Sequence, residues 1–181
     1  MSEDYNIKVL YSAEEIDKRV TEVAAQVTQD YKDKQEEGIL FVGLLNGAAI
    51  FASDLIKKID LEFSIDFIKA SSYKHGTKRD KDLEIVEDLS VDITGKHILI
   101  IEDMIDTGKT LETITKMLKD KGAASVKICA FLNKKIYKTD IDVAYYCFEC
   151  PNVFVFGYGL DIDQKYRNLP YVSYFETQET D

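Results

Sequence analysis

Apolar and polar positions change their period several times along this chain, and each change marks an element. Ile16, Val20, Val23, Ala24, Val27 and Tyr31 fall on one helical face, and Ser12 followed three residues later by Glu15 supplies a capping-box start. Residues 39–45 then form a nearly continuous apolar run, the pattern of a strand covered on both faces. Asn46-Gly47 is the tight connection from that strand to a helix over 48–58, and another strand is expected over 63–69. Residues 70–88 are polar and lack a buried period; their length suits an active-site flap or a solvated hairpin. A β-branched run at 98–101 precedes a helix with apolar positions Leu111, Ile114, Met117 and Leu118, which Gly122 ends. Further strands are expected over 126–132, 143–148 and 153–156. Strands alternating with helices predict an α/β fold with a parallel or mostly parallel sheet.

At 181 residues the chain is expected to form one domain with a core that needs neither disulfides nor structural metal. No apolar stretch approaches the roughly 20 residues of a membrane span, and the start Met1-Ser2-Glu3-Asp4 has no signal-peptide pattern, so a cytoplasmic protein is expected. The net charge of −10 disfavours nonspecific nucleic-acid binding, which depends on neutralising phosphates with Lys and Arg. Cys129, Cys147 and Cys150 do not suggest a disulfide framework. Cys147 and Cys150 have C-x-x-C spacing but no second ligand pair, and strand alternation is expected to point them to opposite faces as structural cysteines. His75, in a polar loop, and His97, entering a strand, are poor catalytic candidates.

Candidate chemistry concentrates at positions 98–111, which read ILIIEDMIDTGKTL. Glu102 and Asp103 are expected at the carboxyl end of the strand, where open α/β sheets bind ligands. The run Asp106-Thr107-Gly108-Lys109-Thr110 then opens a helix whose unpartnered N–H groups and dipole favour an anion, with Gly108 allowing close approach. A nucleotide P-loop ending at Gly108 needs its first glycine at position 103, which is Asp103. Adjacent carboxylates would repel a polyphosphate; they suit ribose hydroxyls and a divalent cation. The combination points to ribose 5-phosphate chemistry.

This segment resembles the phosphoribosyl pyrophosphate signature of the purine phosphoribosyltransferases of the hypoxanthine/guanine type, and positions 154–167, FVFGYGLDIDQKYR, resemble their purine-binding hood. The resemblance implies the type I phosphoribosyltransferase fold: a Rossmann-like, mostly parallel sheet flanked by helices, a small hood mainly over 150–181, and a flexible active-site loop about 70–88. It implies Mg²⁺-dependent transfer of a 5-phosphoribosyl group from phosphoribosyl pyrophosphate to a 6-oxopurine, by a homodimer or homotetramer. Asp106 would be the general base toward the purine ring nitrogen; an alternative role is capping the following helix. Glu102, Asp103, Asp106, Thr107, Gly108, Lys109 and Thr110 would hold the ribose and its 5-phosphate. Lys134 would donate to the 6-oxo group, Phe154 would stack on the base, and Val155 and Asp161 would meet its edge. Asn46, Gly47, Ser72, Tyr73 and Arg167 would contact pyrophosphate, with Glu102, Asp103 and Asp161 serving the metal.

One departure is Asn46, where many relatives carry lysine; the side-chain charge is absent at that point of the pyrophosphate loop. Two other functions fit the same fold: a regulatory protein that senses phosphoribosyl pyrophosphate while binding RNA or DNA, and a transferase acting on a pyrimidine. Acidic charge, and Lys134, Phe154 and Asp161 together, weigh against the regulator.

Overall fold

The computed structural model describes residues 6–73, 82–136 and 141–176. In chain order its elements are β1 (Asn6–Tyr11), α1 (Ala13–Tyr31), β2 (Ile39–Leu45), α2 (Ala49–Ile56), β3 (Ser64–Tyr73), β4 (Asp82–Glu87), β5 (His97–Ile105), α3 (Lys109–Asp120), β6 (Ser125–Asn133), β7 (Val143–Glu149), β8 (Val155–Phe156) and β9 (Val172–Glu176). Six strands form the main sheet in the order β4-β3-β2-β5-β6-β7; β1, β9 and β8 form a small second sheet. All pairings in the main sheet are parallel except β3 with β4, which are antiparallel. The α/β expectation therefore holds, and the polar segment after residue 70 contains the return strand of a hairpin. Residues 74–81, the middle of the expected flap, lie outside the described residues.

The apolar run of β5 shows why the sheet is buried on both sides. Leu99 and Ile101 join the core cluster formed with Ile16, Val20 and Val27 of α1 and Phe51 and Leu55 of α2. Ile98 and Ile100 alternate into the opposite cluster with Leu111, Ile114 and Leu118 of α3. All four are fully buried, and removing each such side chain from water contributes roughly 1.5–3 kcal/mol. Ser12 and Glu15 form the expected capping box: Glu15 N–H donates to Ser12 Oγ at 3.2 Å, and Ser12 N–H to Glu15 Oε2 at 2.8 Å.

Two expectations require correction. The strand read over 98–101 does not stop before the acids but continues through Glu102 and Asp103 to Ile105, because β6 keeps pairing with it as far as Ile105↔Asn133. Cys147 and Cys150 do not face opposite ways; both pack, with Cys129, in the core cluster beneath α1 and α2. Cys150 lies one residue beyond the end of β7, where strand alternation no longer governs its direction. Burial pushes the Cys147 thiol up to about 12 and raises Cys129 as well, so both are inert structural thiols at neutral pH.

Candidate active site

The chain leaves β2 through α2 toward β3 on one side and leaves β5 through α3 toward β6 on the other. The build therefore reverses between β2 and β5, and a crevice opens at their carboxyl ends. β2 pairs with β5 only to Gly43↔Ile101, so Glu102 and Asp103 lie just beyond that pairing while still held in line by β6. Strand geometry fixes them, and the lost neighbour leaves them half-buried on the wall of a cavity.

Past β5, Gly108 occupies the N-cap position of α3 in the left-handed region, with φ 76°. No side chain among the described residues caps this helix, so Asp106 does not take the capping role that its position allowed. The first-turn N–H groups are left facing a cavity of about 140 Å³ lined by residues including Glu102, Ile105, Asp106, Thr107, Gly108 and Thr110. Unpartnered donors, the positive end of the helix dipole and two threonine hydroxyls make an anion cradle. Lys109 is exposed and does not line that cavity.

A second cavity, of about 260 Å³, gathers Asn46, Gly47, Glu102, Asp103, Thr110, Asp161 and Arg167 from four separate stretches of sequence. The Leu45–Asn46 peptide is cis, and Gly47 is pressed so closely on Asp103 that a Cβ there would lie 1.5 Å from Asp103 Oδ2. Burial and the neighbouring Asp103 carboxylate hold the Glu102 carboxyl well above the usual carboxylate range. Asp161 accepts the Gln164 N–H at 2.8 Å and pairs with Arg167 at 2.7 Å; the Arg167 guanidinium also donates to Gly159 O at 2.6 Å.

Among the described residues, no group of three or more His, Cys, Asp or Glu side chains converges to hold a metal ion. The adjoining Glu102 and Asp103 nonetheless fit a hard divalent cation of the Mg²⁺ kind, which takes one or two carboxylates and completes its shell with water and substrate oxygens. Asp161 lines the same cavity but is already engaged by Arg167.

Lys134 follows β6 immediately, and its ammonium lies 3.6 Å from Asp106 Oδ1, with the lysine side chain 13% exposed. A donor and an acceptor thus stand together beside the anion cradle. Phe154 is 60% exposed, unlike a core aromatic, while Val155 beside it is buried in β8. The backbones of Ser72 and Tyr73 end β3; their side chains lie outside the described residues.

Sequence reasoning missed Met104, Ile105 and Leu111 as walls of the smaller cavity and Ala70 as a wall of the larger one. It also missed Gly159, whose Cα packs against the Gly47 carbonyl. The pair of glycines around Tyr158 was the available signal.

The chain is similar to known proteins in sequence and in fold. Hypoxanthine phosphoribosyltransferase of Haemophilus influenzae is 40% identical over 169 residues, covering 93% of this chain and 94% of that protein. Hypoxanthine-guanine phosphoribosyltransferase of Streptococcus pneumoniae is 43% identical over 166 residues, covering 91% of each. The crystal structure of a hypoxanthine phosphoribosyltransferase from Staphylococcus aureus superposes with a TM-score of 0.86 at 42% identity, covering 93% of this chain and 91% of that one. The phosphoribosyl transferase domain family matches residues 7–163, a span that takes in both cavities except Arg167, and the chain belongs to that family.

Proposed function

We propose that this protein is a purine-salvage enzyme that transfers the 5-phosphoribosyl group of phosphoribosyl pyrophosphate to hypoxanthine or guanine, giving IMP or GMP and pyrophosphate. The observation that carries this reading is the Lys134 ammonium 3.6 Å from the Asp106 carboxylate at the edge of the anion cradle. A 6-oxopurine presents an acceptor, its 6-oxo oxygen, next to the imidazole ring and its proton. Lys134 matches the first and Asp106 the second. Adenine carries a donor at position 6 and would oppose the lysine. The names of the similar proteins support the same substrates.

In the proposed reaction the ring nitrogen of the base attacks the anomeric carbon of the ribose, the bond to pyrophosphate breaks with its electron pair, and Asp106 takes up the imidazole proton. The N–H groups opening α3, with Thr107 and Thr110, hold the 5-phosphate. Glu102 and Asp103 orient the ribose hydroxyls and would hold Mg²⁺, which as a Lewis acid neutralises charge on the leaving group. Asn46, Gly47 and Arg167 receive pyrophosphate, the guanidinium being able to bind two oxygens at once. Phe154 stacks on the base, with Val155 and Asp161 at its edge, and Ser72 and Tyr73 on the hairpin approach the pyrophosphate. We place the enzyme in the cytoplasm as a homodimer or homotetramer; no helix among the described residues is long and apolar enough to cross a membrane.

Pyrophosphate release from phosphoribosyl pyrophosphate and Mg²⁺ tests the reading. Release is expected to require hypoxanthine or guanine, and release independent of any base would count against it.

A further inference from the structure

The turn at 157–160 forms a second wall over the pyrophosphate-side loop. A Cβ at Gly159, which has φ 97°, would stand 2.3 Å from the Gly47 carbonyl oxygen. Tyr158, one residue earlier, donates its hydroxyl to Asp54 Oδ2 on α2 at 2.9 Å. That helix grows directly out of the loop: Ala48 N–H donates to Leu44 O and Ala49 N–H to Asn46 O, each at 3.2 Å. The loop and the helix that follows are thus fastened to adjacent residues of one turn, Gly47 to Gly159 and α2 to Tyr158.

The turn is itself anchored. Tyr158 N–H donates to Leu169 O and Gly159 N–H to Arg167 O, each at 2.9 Å. The Tyr158 ring is buried and packs on Phe131 with centroids 4.6 Å apart. Burial and the Asp54 charge raise the hydroxyl above the ordinary tyrosine value, so it stays a donor at neutral pH. A cavity of about 300 Å³ lies beside the bond, lined by Ile50, Asp54, Tyr158 and Arg167 among others. On its core side α2 is packed, with Phe51, Ala52 and Leu55 in one cluster with Tyr158 and Leu160; on the side open to the cavity the hydrogen bond is a polar tie between α2 and the turn.

We propose that Tyr158 and Asp54 are positioning residues for the pyrophosphate-side loop: their hydrogen bond holds α2, and with it Asn46 and Gly47, at the spacing that receives the donor's pyrophosphate. The inference rests on the proposed function for the identity of that ligand. Calorimetric binding of phosphoribosyl pyrophosphate with Mg²⁺, compared across wild type, Tyr158→Phe, Asp54→Leu and Asp54→Asn, provides the test. The first two substitutions are expected to weaken the donor Kd about fivefold to tenfold, within the range that loss of one ordinary hydrogen bond gives. Asp54→Asn keeps an acceptor oxygen and should stay near wild type. In turnover, KM for the donor rises while KM for the purine holds; a general loosening of the fold would instead lower kcat and shift both substrates together. An unchanged donor Kd in Tyr158→Phe, or Asp54→Asn as weak as Asp54→Leu, overturns the proposal. Should Tyr158→Phe fail to fold, the two Asp54 variants decide, since that side chain is 40% exposed. A wild type that binds the donor but transfers nothing defeats the proposed reaction while the Kd comparison still decides the positioning role. A wild type that does not bind the donor overturns both.

Discussion

Asp106 is exposed, beyond the end of β5, and makes no helix cap; its carboxylate pairs with the Lys134 ammonium. A carboxylate in that setting is available for proton transfer. Asp106→Asn removes the proton acceptor while keeping shape, so kcat should fall by about 10²–10⁴, the usual contribution of general base catalysis, with donor Kd near wild type. Unchanged turnover in that variant, measured at saturating substrate, would remove the base assignment. Asn46 lines the cavity of about 260 Å³ with no formal charge. Asn46→Lys adds a cation facing pyrophosphate and is expected to lower the donor KM severalfold, on the order of 1 kcal/mol for a partly screened charge pair. An unchanged KM would show the substitution to be silent.

At the scale of elements, the central strands and helices were legible because their apolar periods are strong. Ile98 to Ile101 are buried on both faces of the sheet, and the Ile16-to-Tyr31 stripe buries one face of α1. β4 was foreseen only as part of a hairpin over 70–88, and β1 and β9 were not legible. β1 is mostly exposed and short, and its pairing with β9 joins Asn6 to Glu176, a contact no local pattern announces. The cradle at Gly108 was readable from a strand, a glycine and a helical period in succession. The approach of Gly47 to Asp103, and of Gly159 to Gly47, was not, because both depend on how separate loops meet. Gly47→Ala tests that meeting: its Cβ would overlap Asp103 Oδ2, so the loop or the carboxylate must move. Donor binding is expected to weaken at least about tenfold, roughly 1.4 kcal/mol, while circular dichroism stays native. Wild-type donor binding in this variant would show the contact to be unimportant.

For the whole molecule, the site is placed where stability is sacrificed. Burial and Asp103 raise the Glu102 carboxyl well above its ordinary value. A carboxyl raised in the folded state favours folding most below its unfolded pKa, and that contribution is lost as pH rises through the folded value. Glu102→Gln, neutral at every pH, should therefore melt above wild type at pH 8, with the difference shrinking toward pH 4, when no cation is added. A melting temperature lower than wild type at pH 8 would contradict this reading of the acid pair. A net charge of −10 repels an anionic donor at long range, so the proposed reaction would need Mg²⁺ and local cations to hold it. The central claim is transfer to a 6-oxopurine, and one measurement addresses it directly: purified protein with Mg²⁺, phosphoribosyl pyrophosphate and a single base at a time, with products separated and identified. IMP from hypoxanthine or GMP from guanine, with very little product from adenine or a pyrimidine, is the predicted result; adenine reacting at a comparable rate, or no nucleotide from either 6-oxopurine, would contradict it.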